Sequence, residues 1–197
     1  MRLKQNQSRL VAGKIAVDLV NAPFVTILKG KDAVVDAADK IILKSLKVES
    51  TLDAKVREII DENYDEIEIQ QADERQLFFM IKKRLAPEFG VIMNYDDRYN
   101  DLSHKILDEL YEEYLIEYEV NDNQVKNVIF KAFKDYMRAY EEIDDIVYDK
   151  IRNMKDDDII PGSEKYEYTY EKLFKEELLK RGMLWLMDNG QLTIDNW

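Results

Sequence analysis

The chain repeats itself. At an offset of 91 positions, HKILDELYEEYLIEY (104–118) falls on GKIAVDLVNAPFVTI (13–27), placing Lys105 on Lys14, Ile106 on Ile15, Glu109 on Asp18 and Leu110 on Leu19. Solenoid arrays repeat with periods of roughly 20–50 residues. A period of 91 instead predicts two domain-sized copies, either as tandem lobes or as one pseudo-symmetric bundle.

The register continues along the chain. Val11, Ile15 and Leu19 stand against Leu102, Ile106 and Leu110, each set spaced by four and so on one helical face. FVTIL (24–28) and LIEYEV (115–120) follow as short strands or extended connectors. A second helix is expected after Asp32 and Asn123, which read as N-caps. Its apolar stripe is Val34, Ala38, Ile41, Ile42 and Leu46 against Val125, Ile129, Phe133 and Met137. A third carries Leu52, Val56 and Ile60 against Ile143, Val147 and Ile151, with Ser50 and Asp53 resembling a capping box. The fourth spans 76–90 and 170–182 at an offset of 92, and both stretches end on glycine. Pro87 should stop the first of these early. The expected fold is therefore mainly α: an internal duplication of a four-helix unit, about eight helices, with minor β at the connectors and tail. The divisions are 1–90, 91–182 and a tail, 183–197, whose Asp188-Asn189-Gly190 reads as a hairpin turn.

Six glycines and three prolines among 197 residues fit helices joined by short connections better than a turn-rich β protein. The absence of cysteine excludes disulfides, thiolate metal sites and a cysteine nucleophile. The N-terminus lacks a continuous apolar core of the signal-peptide kind, and no run reaches the ~18 apolar residues of a membrane span. These features lead us to expect a cytoplasmic protein.

Charge separates the halves. Residues 1–90 hold 15 of the 29 basic and 15 of the 41 acidic side chains, leaving 14 and 26 beyond, so the net −12 belongs to the second half. Eleven of the twelve tyrosines lie there too. A polyanionic half opposes direct binding of nucleic-acid phosphates, whose affinity comes from Lys and Arg. It suits a basic protein partner, and tyrosine offers large contact area at low entropic cost. The simpler role of such a face is to keep the chain solvated.

IIPGSEKYEYTYEKLFKEELLKRG (159–182) resembles the closing signature of a bacterial group, domain-of-unknown-function family 507. QQADERQLFFMIKKRLAPEFG (70–90) and MRLKQNQSRLVAGKIAVDLV (1–20) resemble the same family, so the likeness covers about residues 1–183. It implies a helical bacterial protein, often with two repeats, and supplies no catalytic residues. The residues themselves read Pro161-Gly162-Ser163 as a turn with Ser163 as helix N-cap.

Catalytic patterns are missing. The glycines are isolated, so no phosphate-cradling loop or dinucleotide fingerprint occurs. His104 is the only histidine, and Ser163 lies outside a nucleophile-elbow context. Asp101-x-x-His104 is one imperfect half of a di-iron motif that needs two Glu-x-x-His pairs. Asp144-Asp145 and Asp156-Asp157-Asp158 could ligate Mg²⁺ or Ca²⁺ through oxygen, although no EF-hand glycine accompanies them. The leading expectation is a non-enzymatic adapter or scaffold without cofactor. Its partner-binding candidates are Asp144, Asp145, Tyr148, Asp156, Asp157, Asp158 and Tyr168. The alternative is a carboxylate-based divalent-metal-binding protein or enzyme. Tyr166 and Tyr170 share a helical face and are expected in the core, with Tyr168 about 200° away.

Overall fold

The computed structural model describes residues 3–64, 73–154 and 159–181. The chain is mainly helical there, and six α-helices occur among the described residues rather than eight. They are α1 (Ser8–Val20), α2 (Lys31–Glu62), α3 (Glu74–Leu85), α4 (Tyr95–Glu112), α5 (Asp122–Arg152) and α6 (Glu164–Lys180). Two short strands, β1 (Val25–Ile27) and β2 (Ile116–Tyr118), complete the set. The order helix, strand, long helix, helix is thus traversed twice.

The count falls from eight because the expected second and third helices are one. α2 runs unbroken for 32 residues through Ser50 and Asp53. A capping box competes with helix continuation only where the chain gains nothing by continuing. Here the buried face Val34, Ala38, Ile42, Leu46, Glu49, Asp53, Val56 and Ile60 keeps helical spacing throughout. The Asp53 carboxylate is also recruited elsewhere, by Lys82. α5 is likewise continuous for 31 residues.

The starts of the long helices differ from the sequence expectation by a residue or two. Gly30, at φ +88°, occupies the N-cap of α2, and Asp32 sits in its first turn. There it complements the positive end of the helix dipole. At α5 the cap is Asn121, whose side-chain oxygen accepts from the Gln124 N–H at 3.0 Å, while Asn123 lies within the helix. Three other starts are capped by side chains. Asp73 accepts from the N–H groups of Arg75 and Gln76, Asn94 from those of Asp96 and Asp97, and Ser163 from that of Tyr166. α3 ends at Leu85, two residues before Pro87, and Gly90 at φ +65° closes the turn beyond it. Gly182 and the whole tail, 183–197, lie outside the described residues.

Packing divides the chain into two compact units, Met1–Phe130 and Lys131–Trp197, with the division inside α5. These units are a different partition from the sequence halves. In the first, Val11, Ile15 and Leu19 of α1 are fully buried, as are Val34, Ala38 and Ile42 of α2 and Ile106 and Leu110 of α4. Leu52, Val56 and Ile60 of α2 form a further cluster with Ala86, onto which Leu77, Phe78, Ile81 and Leu85 of α3 pack. β1 and β2 pair antiparallel, Val25 with Tyr118, Thr26 with Glu117 and Ile27 with Ile116. In the second unit, Ile143, Val147 and Ile151 of α5 meet Leu173 and Leu178 of α6. No helix among the described residues is long and apolar enough to cross a membrane.

Candidate interaction surface

The residues singled out in the sequence lie mostly in the second unit. Asp144 and Asp145 are neighbours on α5, and Tyr148 lies one turn beyond Asp144. Asp144 is half-buried and its carboxylate accepts a hydrogen bond from the Tyr170 hydroxyl at 2.5 Å. Burial, followed by that bond, raises the Tyr170 phenol well above its ordinary range. Asp144 therefore already has a structural role. Asp145 is exposed, and Tyr148 stands 56% exposed beside Tyr166. Tyr168 is 70% exposed on α6. Tyr166 and Tyr170, four apart, pack against the α5 cluster. Tyr168, about 200° around the helix from Tyr166, points away from α5. The structure therefore does not bring Tyr148 and Tyr168 together on one face. Asp156, Asp157 and Asp158 lie outside the described residues.

Aromatic packing holds α6 to α5. Rings run from Tyr136 through Tyr140 and Phe174 to Tyr170 and Tyr166, with centroid spacings of 6.2, 4.7, 5.7 and 6.5 Å. Lys150 and Lys180 donate to Glu177 at the far end of α6. These bonds hold the Glu177 carboxyl down at about 2.

The corresponding junction in the first unit is ionic. Lys82 of α3 contacts Glu49 Oε1 at 2.8 Å and Asp53 Oδ1 at 2.7 Å. Arg98 of α4 reaches Glu49 Oε2 at 2.5 Å and donates through Nε to the Ile92 carbonyl at 2.8 Å. All four side chains are at least nine-tenths buried. Two carboxylates and two cations make the cluster neutral, which is how charges survive burial. At offsets of 91 and 92, Glu49 corresponds to Tyr140, Asp53 to Asp144 and Lys82 to Phe174. Two of these charges, Glu49 and Lys82, thus stand where rings stand at the other junction, while Asp53 matches a second aspartate. Sequence reasoning missed this cluster, although Glu49 and Asp53 interrupt an apolar stripe at a spacing of four. Beside it, α2 and α4 enclose a cavity of about 390 Å³ lined by Ile41, Val48, Phe89, Arg98, Leu102 and Lys105 among others.

A second surface was also missed. At the end of α4, Tyr111 is 61% exposed and Tyr114 73% exposed. The Tyr111 ring lies 5.9 Å from that of Tyr118 on β2. The Tyr118 hydroxyl donates to Asp122 at 2.9 Å, and burial together with that bond pushes the phenol up to about 12. The available signal was the run from Asp108 to Asp122, with seven acids, three tyrosines and no lysine or arginine. Chemically, this arrangement offers aromatic faces and negative charge to a cation.

Among the described residues, no group of three or more His, Asp or Glu stands close enough to hold a metal ion. His104 is exposed on α4.

A family model described as "Protein of unknown function (DUF507)" matches residues 1–183. The chain belongs to this family. Membership thus extends over every described residue, both compact units included. The family's description names no activity. No curated protein matches the sequence.

Proposed function

We propose that the chain is a non-enzymatic interaction protein of the cytoplasm, an adapter or scaffold, which binds a protein partner through its acidic second half. The observation that carries this reading is the exposure of four tyrosines in that half: Tyr111, Tyr114, Tyr148 and Tyr168. A tyrosine fixed on a helix or tight turn presents a large amphipathic area and loses little entropy on contact. Placed in a half of the chain that carries the whole net charge of −12, it favours a partner with cationic side chains. We further read the two traversals of helix, strand, long helix, helix as diverged copies, one charge-balanced and one acidic and tyrosine-rich.

The test is affinity capture with the full chain, comparing wild type with a D145N/Y148A/Y168A variant and a Y111A/Y114A variant. A defined partner that is retained by wild type and lost with either variant supports the reading. Wild type and both variants capturing the same background would remove it. In that event a thermal shift with Mg²⁺, Mn²⁺ or Ca²⁺ becomes the informative measurement, because binding to the native state raises Tm by mass action.

A further inference from the structure

We infer that the cavity between α2 and α4 binds a small neutral molecule with an apolar body and a carbonyl oxygen at one end, such as an amide. This goes beyond the interaction reading above and does not depend on it.

The cavity, at about 390 Å³, has the size of a small-molecule site. Its wall is apolar along Val48 of α2, Phe89 and Ile92 of the segment joining α3 to α4, and Leu102 of α4. Arg98 is the buried charged residue on that wall, 6% exposed. Two of its three nitrogens are engaged: Nε donates to the Ile92 carbonyl at 2.8 Å, and Nη1 donates to Glu49. Nη2 is buried and meets no hydrogen-bond acceptor among the described residues. The guanidinium is a rigid planar fork, so Nη2 shares an edge with Nε. That edge faces Ile92, which is itself part of the cavity wall. A buried donor left unbonded bears the full cost of its desolvation. Because Nη2 is shielded from bulk water, an acceptor can approach it only by way of the cavity that Arg98 lines.

Charge decides what kind of acceptor this is. The Glu49–Asp53–Lys82–Arg98 cluster is already neutral, so a carboxylate on Nη2 would add an uncompensated buried negative charge. Other charges along the cavity are matched within the chain. Lys105 pairs with Asp101 at 2.7 Å, and Glu109 is taken by Lys40 at 2.8 Å. Asp108 and Glu112 line the cavity one turn apart and are exposed, so they repel an entering anion and outnumber the exposed Lys44. Arg98 thus lacks an acceptor without lacking a charge. A carbonyl supplies the lone pair alone, whereas an ammonium has donors and no acceptor to offer. Beyond the carbonyl, the ligand lies against Val48, Phe89 and Leu102, which calls for hydrocarbon.

The experiment is an amide-resolved NMR titration of the full chain with hexanamide, hexanoate and hexylamine, which share a chain length and differ in head group. We expect hexanamide to shift the signals of Gly90, Val91 and Leu102 saturably, with hexanoate and hexylamine severalfold weaker. R98K keeps the charge but removes the free donor, and should bind hexanamide and hexylamine alike. Should R98K fail to fold, S45F serves instead: Ser45 is a half-buried wall residue, and a ring there fills the cavity and should abolish the hexanamide shifts. Circular dichroism verifies that each variant is folded. Hexanoate binding as tightly as hexanamide would overturn the proposal, because charge attraction would then suffice. Absence of any saturable shift, or hexanamide shifts that survive S45F, would also overturn it. Either result leaves the capture of a partner by the exposed tyrosines untouched.

Discussion

Glu49 is the residue on which the first unit's ionic junction turns, because one carboxylate serves two cations. Lys82 takes Oε1 and Arg98 takes Oε2. Breaking a buried pair strands a charge in a poor solvent, at a cost of about 3–5 kcal/mol. Glu49→Gln is expected to lower stability in that range in chemical denaturation, with an unchanged slope. The Glu177 pairing gives a different signature, because it depends on pH. Its carboxyl is depressed from 4.5 to about 2 by bonds from Lys150 and Lys180. A depressed carboxylate contributes its full stabilisation above its unfolded value and loses it as pH falls through the folded one. The contribution should therefore disappear between about pH 4.5 and 2. K150M should show a shallower loss of stability than wild type over that window. An equally steep acid limb in K150M would show that Glu177 is not held down by Lys150. Neither arrangement was legible in the sequence. Local spacing cannot show that Glu49 meets Lys82 and Arg98, 33 and 49 residues away.

At the scale of elements, spacing by four was a sound guide, while capping patterns held at Ser163 and failed at Ser50. Val11, Ile15 and Leu19, Ile106 and Leu110, and Ile143 and Val147 are all fully buried, as their periodicity requires. The antiparallel pairing of β1 with β2 could not be read off, because its register depends on how α1 and α4 are each placed against α2. The Ser50-Asp53 pattern suggested a boundary that the continuous stripe and the Lys82 contact override. Ser163 capped as expected because Pro161 and Gly162 had already broken the chain. Helix continuity through residue 50 has a direct test. Ser50 is exposed, so substituting it disturbs the backbone alone. In a continuous helix, Ser50→Pro removes a bond and clashes with the preceding turn, costing about 3 kcal/mol or more. Ser50→Ala should be neutral or slightly stabilising. If Ser50 instead headed a separate helix, proline there would be tolerated, and urea denaturation distinguishes the cases.

For the whole molecule, the dominant quantity is the net charge of −12. Its concentration beyond residue 90 means that self-repulsion acts mainly within the second half. Raising salt from about 0.01 to 0.15 M shortens the Debye length from roughly 30 to 8 Å. Tm should rise over that range, because exposed like charges are screened while the buried Glu49–Asp53–Lys82–Arg98 cluster is not. A falling Tm would mean that surface ion pairs such as Arg9–Asp36 outweigh the repulsion. The charge asymmetry was plain in the sequence, whereas the approach of the Tyr111 ring to Tyr118, and the bond from Tyr118 to Asp122, required the fold. The length of α2 has a mechanical consequence for the first unit. At 32 residues it is a rod of about 48 Å, gripped by α1 and α4 along one part and by α3 along another. A tilt of about 5° at one end carries the other through roughly 4 Å. The rod is thus a lever, and a load applied at either grip arrives at the other as displacement rather than being absorbed between them.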